Sequence, residues 1–222
     1  MPTLDDLTAL TGRTFAAVLF DNDGTLVDST PAVERSWLAW AREYDIDPTL
    51  LGRHHGVPAA GIIASIAPHL DARAALARIT ELEVADTDDV RAIAGAVEAV
   101  EAIGPKRCAV VTSATRELGL ARLAAAGIPL PDVVVTFDDV ERGKPHPDPF
   151  LLAAERLGVD PAECLVVEDA PSGLTAATAA GCATLALTST TPAEALDADA
   201  VVASLASVQF VPGSEGVALE SR

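Results

Sequence analysis

The chain has 222 residues, half of them apolar and only 4% aromatic, with a formal net charge of -18. That length allows one substantial core, or a core with a small accessory domain. The charge repels nucleic acid and anionic membrane surfaces, so neither is an expected partner.

The first stretch, to Thr14, carries Asp5 and Asp6 and no apolar core of the kind a secretory leader needs. No apolar run approaches membrane-spanning length. Cys108, Cys164 and Cys182 are widely spaced and read as small buried hydrophobes, which fits a reducing, cytoplasmic setting.

Short, nearly continuous apolar runs then follow one another at Ala16 to Phe20, Cys108 to Thr112, Val133 to Thr136, Cys164 to Val167 and Ala183 to Leu187. A weaker sixth runs from Ala200 to Ala203. Such runs suit parallel strands buried on both faces. Helical patterns lie between them: Arg116 to Ala126, Asp148 to Leu157 and Ser172 to Ala180, each stopped by a glycine. This alternation predicts an α/β fold, a doubly wound, mostly parallel sheet with helices on both faces.

One stretch breaks the rhythm. Thr30 and Pro31 read as an N-cap and first helical position, followed by Val33, Trp37 and Tyr44 on one helical face. Val90, Ile93, Val97, Val100 and Ile103 predict a second apolar face. With no convincing strand between, residues 30–97 are expected to form an inserted all-helical domain, and residues 1–29 and 98–222 the α/β core. Residues 212–222 are expected to be loose.

Ligands of open parallel sheets bind at the carboxyl ends of the strands. The residues there are Asp21-Asn22-Asp23-Gly24-Thr25, Ser113, Gly143-Lys144-Pro145 and Glu168-Asp169. Carboxylates, a hydroxyl and an ammonium thus converge on one edge. A calcium loop is excluded, because aligning Gly24 with the sixth position of such a loop puts Leu19 where a carboxylate is required.

These segments resemble, in order, the motifs of haloacid dehalogenase-type phosphatases. Phe20 to Ser29 is similar to the first, Val111-Thr112-Ser113 to the second, Gly143 to Asp148 to the third, and Val167 to Gly173 to the fourth. The resemblance implies a phosphatase acting through an aspartyl-phosphate. Asp21 is its nucleophile and Asp23 its acid and base. Asp21 and Asp23, two apart in an extended segment, point to the same side.

The resemblance further implies Mg2+ held by the Asp21 carboxylate, the Asp23 carbonyl and Asp169, with Glu168 a direct ligand or a partner behind them. Lys144 offsets charge, and Ser113, or Thr112 if the register slips by one, donates to the phosphoryl group beside Ala114. Arg116 either adds positive potential or is a surface residue. The insertion acts as a cap over a small phosphorylated metabolite, a sugar or polyol phosphate. His55, with Arg53 or His54, meets this substrate or else lies on a surface hinge loop. Trp37 and Trp40 are assigned to packing within the cap. A monomer or weak homodimer is expected.

A β-phosphoglucomutase-like mutase is the nearest enzymatic alternative, with Thr25 favouring hydrolysis. Asp23 argues against a dehalogenase proper, and the lack of lysine between Asp28 and Ile103 against a phosphonatase. A non-catalytic relative on the same fold is the alternative from another class.

Overall fold

Strand β2 (Ala17–Phe20) is buried along its whole length and sits in the middle of a parallel sheet. The computed structural model describes residues 3–52 and 58–222. Five further strands complete that sheet: β5 (Cys108–Val111), β6 (Val133–Val135), β7 (Cys164–Glu168), β8 (Ala183–Leu187) and β9 (Ala200–Val202). Their order is β6-β5-β2-β7-β8-β9, and every pairing is parallel. All six strands expected from the apolar runs are present.

Alternate residues of these strands enter two separate cores, as the two-residue period of a strand demands. Val18, Phe20, Val110 and Val167 face one core; Ala17, Leu19, Ala109 and Val166 face the other. The second core is closed by α6 (Asp148–Leu157), through Phe150 and Ala153, and by α7 (Pro171–Ala180), through Ala176 and Ala177. The first is covered by α4 (Ala96–Ile103) and by Leu123 of α5 (Arg116–Ala125). Both faces are therefore dry, which is why the strands read as unbroken apolar runs.

The C-terminal tail corrects the expectation of looseness. β10 (Val208–Pro212) and β11 (Val217–Ser221) form an antiparallel hairpin that also pairs with β1 (Thr14–Phe15). Val208, Phe210, Val217 and Leu219 turn inward onto the first core, while Gln209 and Glu220 face solvent. Phe210 meets Phe20 edge-on, ring centroids 5.8 Å apart. The alternation that builds this hairpin is short and half polar, so it carries less signal than a buried run.

Between β2 and β5 the chain leaves the sheet through β3 (Val27–Asp28) and returns through β4 (Arg91–Ala92), which pair antiparallel. Between these two strands lie α1 (Thr30–Glu43), α2 (Ala59–Ile66) and α3 (Ala72–Ala85). They bury a core of their own around Trp37, Trp40, Ile63, Ala75 and Ile79, and the Trp40 indole donates to the Ala75 carbonyl at 3.0 Å.

Two expectations for this stretch change. Ser29, not Thr30, precedes the first helical residue of α1. The helix expected to begin at Val90 begins at Ala96, because Arg91–Ala92 pair as a strand and Gly95 adopts φ +88°, although Val90 and Ile93 face the same core. A side chain at Gly95 would stand 2.4 Å from the Ala206 backbone nitrogen, so only glycine lets α4 start there. From Ala96 onward the helix packs in the sheet's own core.

Candidate active site

At the carboxyl end of β2 the backbone turns sharply: the Asn22 carbonyl accepts from the backbone N–H groups of Thr25, Leu26 and Val27. Asn22 is fully buried, whereas Asp21 and Asp23 both line a cleft of about 360 Å3 between the sheet edge and the inserted helices. The flanking strands deliver the rest. Phe20 is in register with Val110 on β5 and with Val167 on β7, so Asp21 stands level with Val111–Thr112 and with Glu168.

Lys144 is buried beside them, its ammonium donating to Asp21 Oδ1 at 2.5 Å, Glu168 Oε1 at 2.7 Å and the Val111 carbonyl at 2.9 Å. Burial works against that ammonium, but Asp21 and Glu168 outweigh it and hold Lys144 above the usual lysine range. Glu168 Oε2 accepts from the backbone N–H groups of Asp169 and Ala170, both at 3.0 Å. Both oxygens of Glu168 thus fix neighbours, orienting the lysine and the turn into α7. Gly173 makes room for this: a Cβ there would fall 1.7 Å from Glu168 Oε1.

Asp169 accepts from Thr25 Oγ1 at 3.3 Å and from the hydroxyl of Thr190. Gly24, at φ +89°, must be glycine for a second reason: a Cβ would stand 2.2 Å from Asp169 Oδ2. Asp21, Glu168 and Asp169 each offer an oxygen within 4.8 Å of the others. Burial pushes Asp21 well above the usual carboxylate range, with Lys144 opposing and Glu168 and Asp169 reinforcing it. Burial, then the nearby Glu168 charge, pushes Asp169 up to about 7. Three buried carboxylates against one ammonium leave an excess of negative charge, and an all-oxygen donor set of this kind fits a hard divalent cation.

Both second-strand hydroxyls line the cleft. Thr112 Oγ1 accepts the Ala114 N–H at 3.0 Å, which leaves its own O–H to donate. Ser113 Oγ is buried in the cleft wall, with Ala114 next to it, and has no hydrogen-bond partner among the described residues. Arg116, by contrast, is placed outside the cleft. Its Nη2 donates to Asp139 at 2.8 Å and to the Val134 carbonyl at 3.2 Å. Trp37 packs among the inserted helices and also lines the cleft, while Trp40 is wholly buried. Arg53, His54 and His55 lie outside the described residues.

Two residues that the sequence reading passed over sit in the wall. Arg122 of α5 donates to Asp23 Oδ1 at 2.9 Å and to Glu83 Oε1, on α3, at 3.0 Å. Burial pushes the Glu83 carboxyl up, with Arg122 pulling the other way. The sequence signal was a charge on an apolar helical face: Arg122 follows Leu118 by four residues, and Glu83 follows Ala75 and Ile79 at the same spacing. Ser189 and Thr190 were also passed over, although they follow β8 at the same sheet edge.

Comparison with known proteins agrees with this arrangement. A family model described as haloacid dehalogenase-like hydrolase matches residues 15–181. Hexitol phosphatase A of Escherichia coli is 41% identical over 175 residues, covering 76% of this chain and 81% of that protein. Glycerol-1-phosphate phosphohydrolase 2 of Saccharomyces cerevisiae is 33% identical over 187 residues, covering 78% and 75%. The solved structure of CbbY from Rhodobacter sphaeroides in complex with phosphate superposes with a TM-score of 0.74 at 26% identity, covering 86% of this chain and 95% of that one. The family match spans the whole parallel-sheet site from β2 to the end of α7, and the chain belongs to the haloacid dehalogenase-like hydrolases.

Proposed function

We propose that this chain hydrolyses the phosphate monoester of a small sugar or polyol, with Asp21 as nucleophile and Asp23 as proton carrier. The observation that carries the reading is the Asp21 carboxylate itself. It is buried at the sheet's rim, 2.5 Å from the Lys144 ammonium, with Asp169 within 4.8 Å and the Ser113 hydroxyl, unpartnered among the described residues, in the same wall.

In the first step an Asp21 oxygen bonds to phosphorus as the bond to the alcohol oxygen breaks, and Asp23 gives its proton to the departing alkoxide. In the second, water adds to phosphorus, Asp23 takes a proton from it, and the Asp21–phosphorus bond breaks. Inorganic phosphate leaves, and both carboxylates return to their starting forms. Ser113 donates to a phosphoryl oxygen throughout, and Lys144 holds Asp21 oriented while offsetting charge on the phosphoryl group. Asp21, Asp169 and the Asp23 carbonyl would hold magnesium, which supplies positive charge against the phosphoryl oxygens. The helices α1 to α3 serve as a cap that shields these steps from bulk water.

Support for the substrate class comes from relatives named for hexitol and glycerol-1-phosphate phosphatase activity, and the solved structure of CbbY, of the same fold, is a complex with phosphate. No helix among the described residues is long and apolar enough to cross a membrane. The test is phosphate release from a panel of hexitol, glycerol and sugar phosphates with magnesium. Turnover of at least one of these, lost by at least about a thousandfold in Asp21→Asn, is expected. Near-normal turnover by Asp21→Asn would rule out the covalent route. Conversion of β-glucose 1-phosphate to glucose 6-phosphate without free phosphate would replace hydrolysis by mutation of the phosphoryl position.

A further inference from the structure

We propose that Arg122 and Glu83 are positioning residues for Asp23: a guanidinium clamped by a carboxylate of the inserted helices sets which oxygen of Asp23 faces the reaction. The inference rests on the reading of Asp23 as proton carrier. Arg122 and Glu83 are 5% and 6% exposed, and the two ends of one guanidinium reach Asp23 Oδ1 at 2.9 Å and Glu83 Oε1 at 3.0 Å. Asp23 Oδ1 also accepts from Ser29 Oγ at 2.7 Å, whereas among the described residues Oδ2 meets only the Asn22 amide, at 3.3 Å. Two short bonds therefore commit Oδ1 as an acceptor. The weakly engaged oxygen, Oδ2, is the one left to exchange a proton with the alcohol and then with water.

The clamp is assembled from three parts of the chain. Asp23 follows β2, Arg122 comes from α5 of the sheet domain, and Glu83 from α3 of the inserted helices, which packs against α5. Burying these charges costs more than an apolar pair at the same place would, so packing alone does not account for them. A fork geometry does, because guanidinium holds two carboxylates in fixed directions where an apolar side chain holds none. The guanidinium that holds Asp23 is clamped from both ends only while α3 sits on α5, which ties placement of the proton carrier to closure of the helices over the cleft. A misplacement of about 1 Å at such a group costs on the order of a hundredfold in rate.

The test is stopped-flow kinetics of the full-length protein with magnesium and p-nitrophenyl phosphate. This leaving group departs without a proton, so forming the aspartyl-phosphate tolerates a misplaced Asp23, whereas hydrolysing it does not. Arg122→Met is expected to release about one equivalent of p-nitrophenol at a rate within about threefold of the wild-type first turnover, followed by steady-state turnover about a hundredfold slower. Glu83→Gln should slow the second phase about tenfold, and the double variant should be no slower than Arg122→Met, since the two act through one contact. Equal slowing of both phases, an unchanged second phase, or additive losses in the double variant would overturn the inference. If Arg122→Met fails to fold because it strands Glu83, Glu83→Leu/Arg122→Met removes both charges and carries the same comparison. Asp23→Asn is run alongside. Wild-type turnover by it sinks the proton-carrier reading itself, whereas a burst from Asp23→Asn and none from the Arg122 variants sinks only the positioning role.

Discussion

Replacing Lys144 by methionine removes the one ammonium that faces Asp21 and Glu168 and leaves a side chain of similar length. The lysine is 5% exposed and its three bonds run to Asp21, Glu168 and the Val111 carbonyl. Stranding one side of a buried pair costs about 3–5 kcal/mol. In a chain of this size each kcal/mol moves the melting temperature by about 2–4 °C, so a fall of about 6–20 °C is expected at pH 7.5 in chelator. The fall should shrink at lower pH. Asp21 and Asp169 are carboxyls whose folded pKa lies above the unfolded value of 3.8. The folded state therefore binds more protons than the unfolded one above that value, and stability is lost as pH rises through the folded pKa. Acid neutralises the stranded Asp21, while Lys144, raised above its ordinary 10.5, stays charged in the wild type across this window. Added magnesium should recover part of the loss at pH 7.5 by replacing the missing charge. Calorimetry of wild type and variant at pH 5 and 7.5, with chelator and with magnesium, reads all of this. A fall that is equal at both pH values and indifferent to magnesium would show that Lys144 acts by packing and not by charge.

Gly173→Ala places a methyl group 1.7 Å from Glu168 Oε1, so it should cost at least about 2 kcal/mol in denaturant titrations and displace the carboxylate that orients Lys144. Wild-type stability and activity in that variant would refute the packing described around Glu168. Divalent-cation binding should weaken as pH falls below about 7, because Asp169, raised to about 7, must lose its proton to serve as a ligand. Calorimetric titration with magnesium should show proton release on binding at pH 5.5, and tighter binding with little proton release at pH 8. Equal affinity at both would remove Asp169 from the ligand set.

The parallel core was legible in the amino-acid sequence because burial on both faces forces a strand to be apolar throughout. Ala17–Phe20 and Ala183–Leu187 admit no other pattern, and a sheet so built gathers whatever polar residues follow its strands. Asp21, Ser113, Glu168 and Asp169 could therefore be placed at one edge before any coordinates, and Lys144 by its motif. The hairpin of β10 and β11 was not legible in this way. Val208 and Phe210 flank Gln209, and Val217 and Leu219 flank Ala218, within strands of five residues each, and only the face of the first core shows what they cover. Nor was it legible that α4 belongs to the sheet: the helical face runs smoothly through Val97, and the break depends on Gly95 meeting Ala206, more than a hundred residues away.

The finer structure of the site depended on tertiary contact altogether. Thr112 and Ser113 are equivalent as hydroxyls in a sequence, and only the fold shows that Thr112 accepts the Ala114 N–H while Ser113 Oγ is buried with no partner among the described residues. Arg116 and Arg122 lie on one helix, six residues apart. The first faces Asp139 at the surface, and the second turns inward between Asp23 and Glu83. A sequence determines which residues are apolar, which are charged and how they repeat, and from these the sheet and its active edge follow. It does not determine which charge meets which, because a pairing worth a few kcal/mol is set by the packing of segments that are distant along the chain.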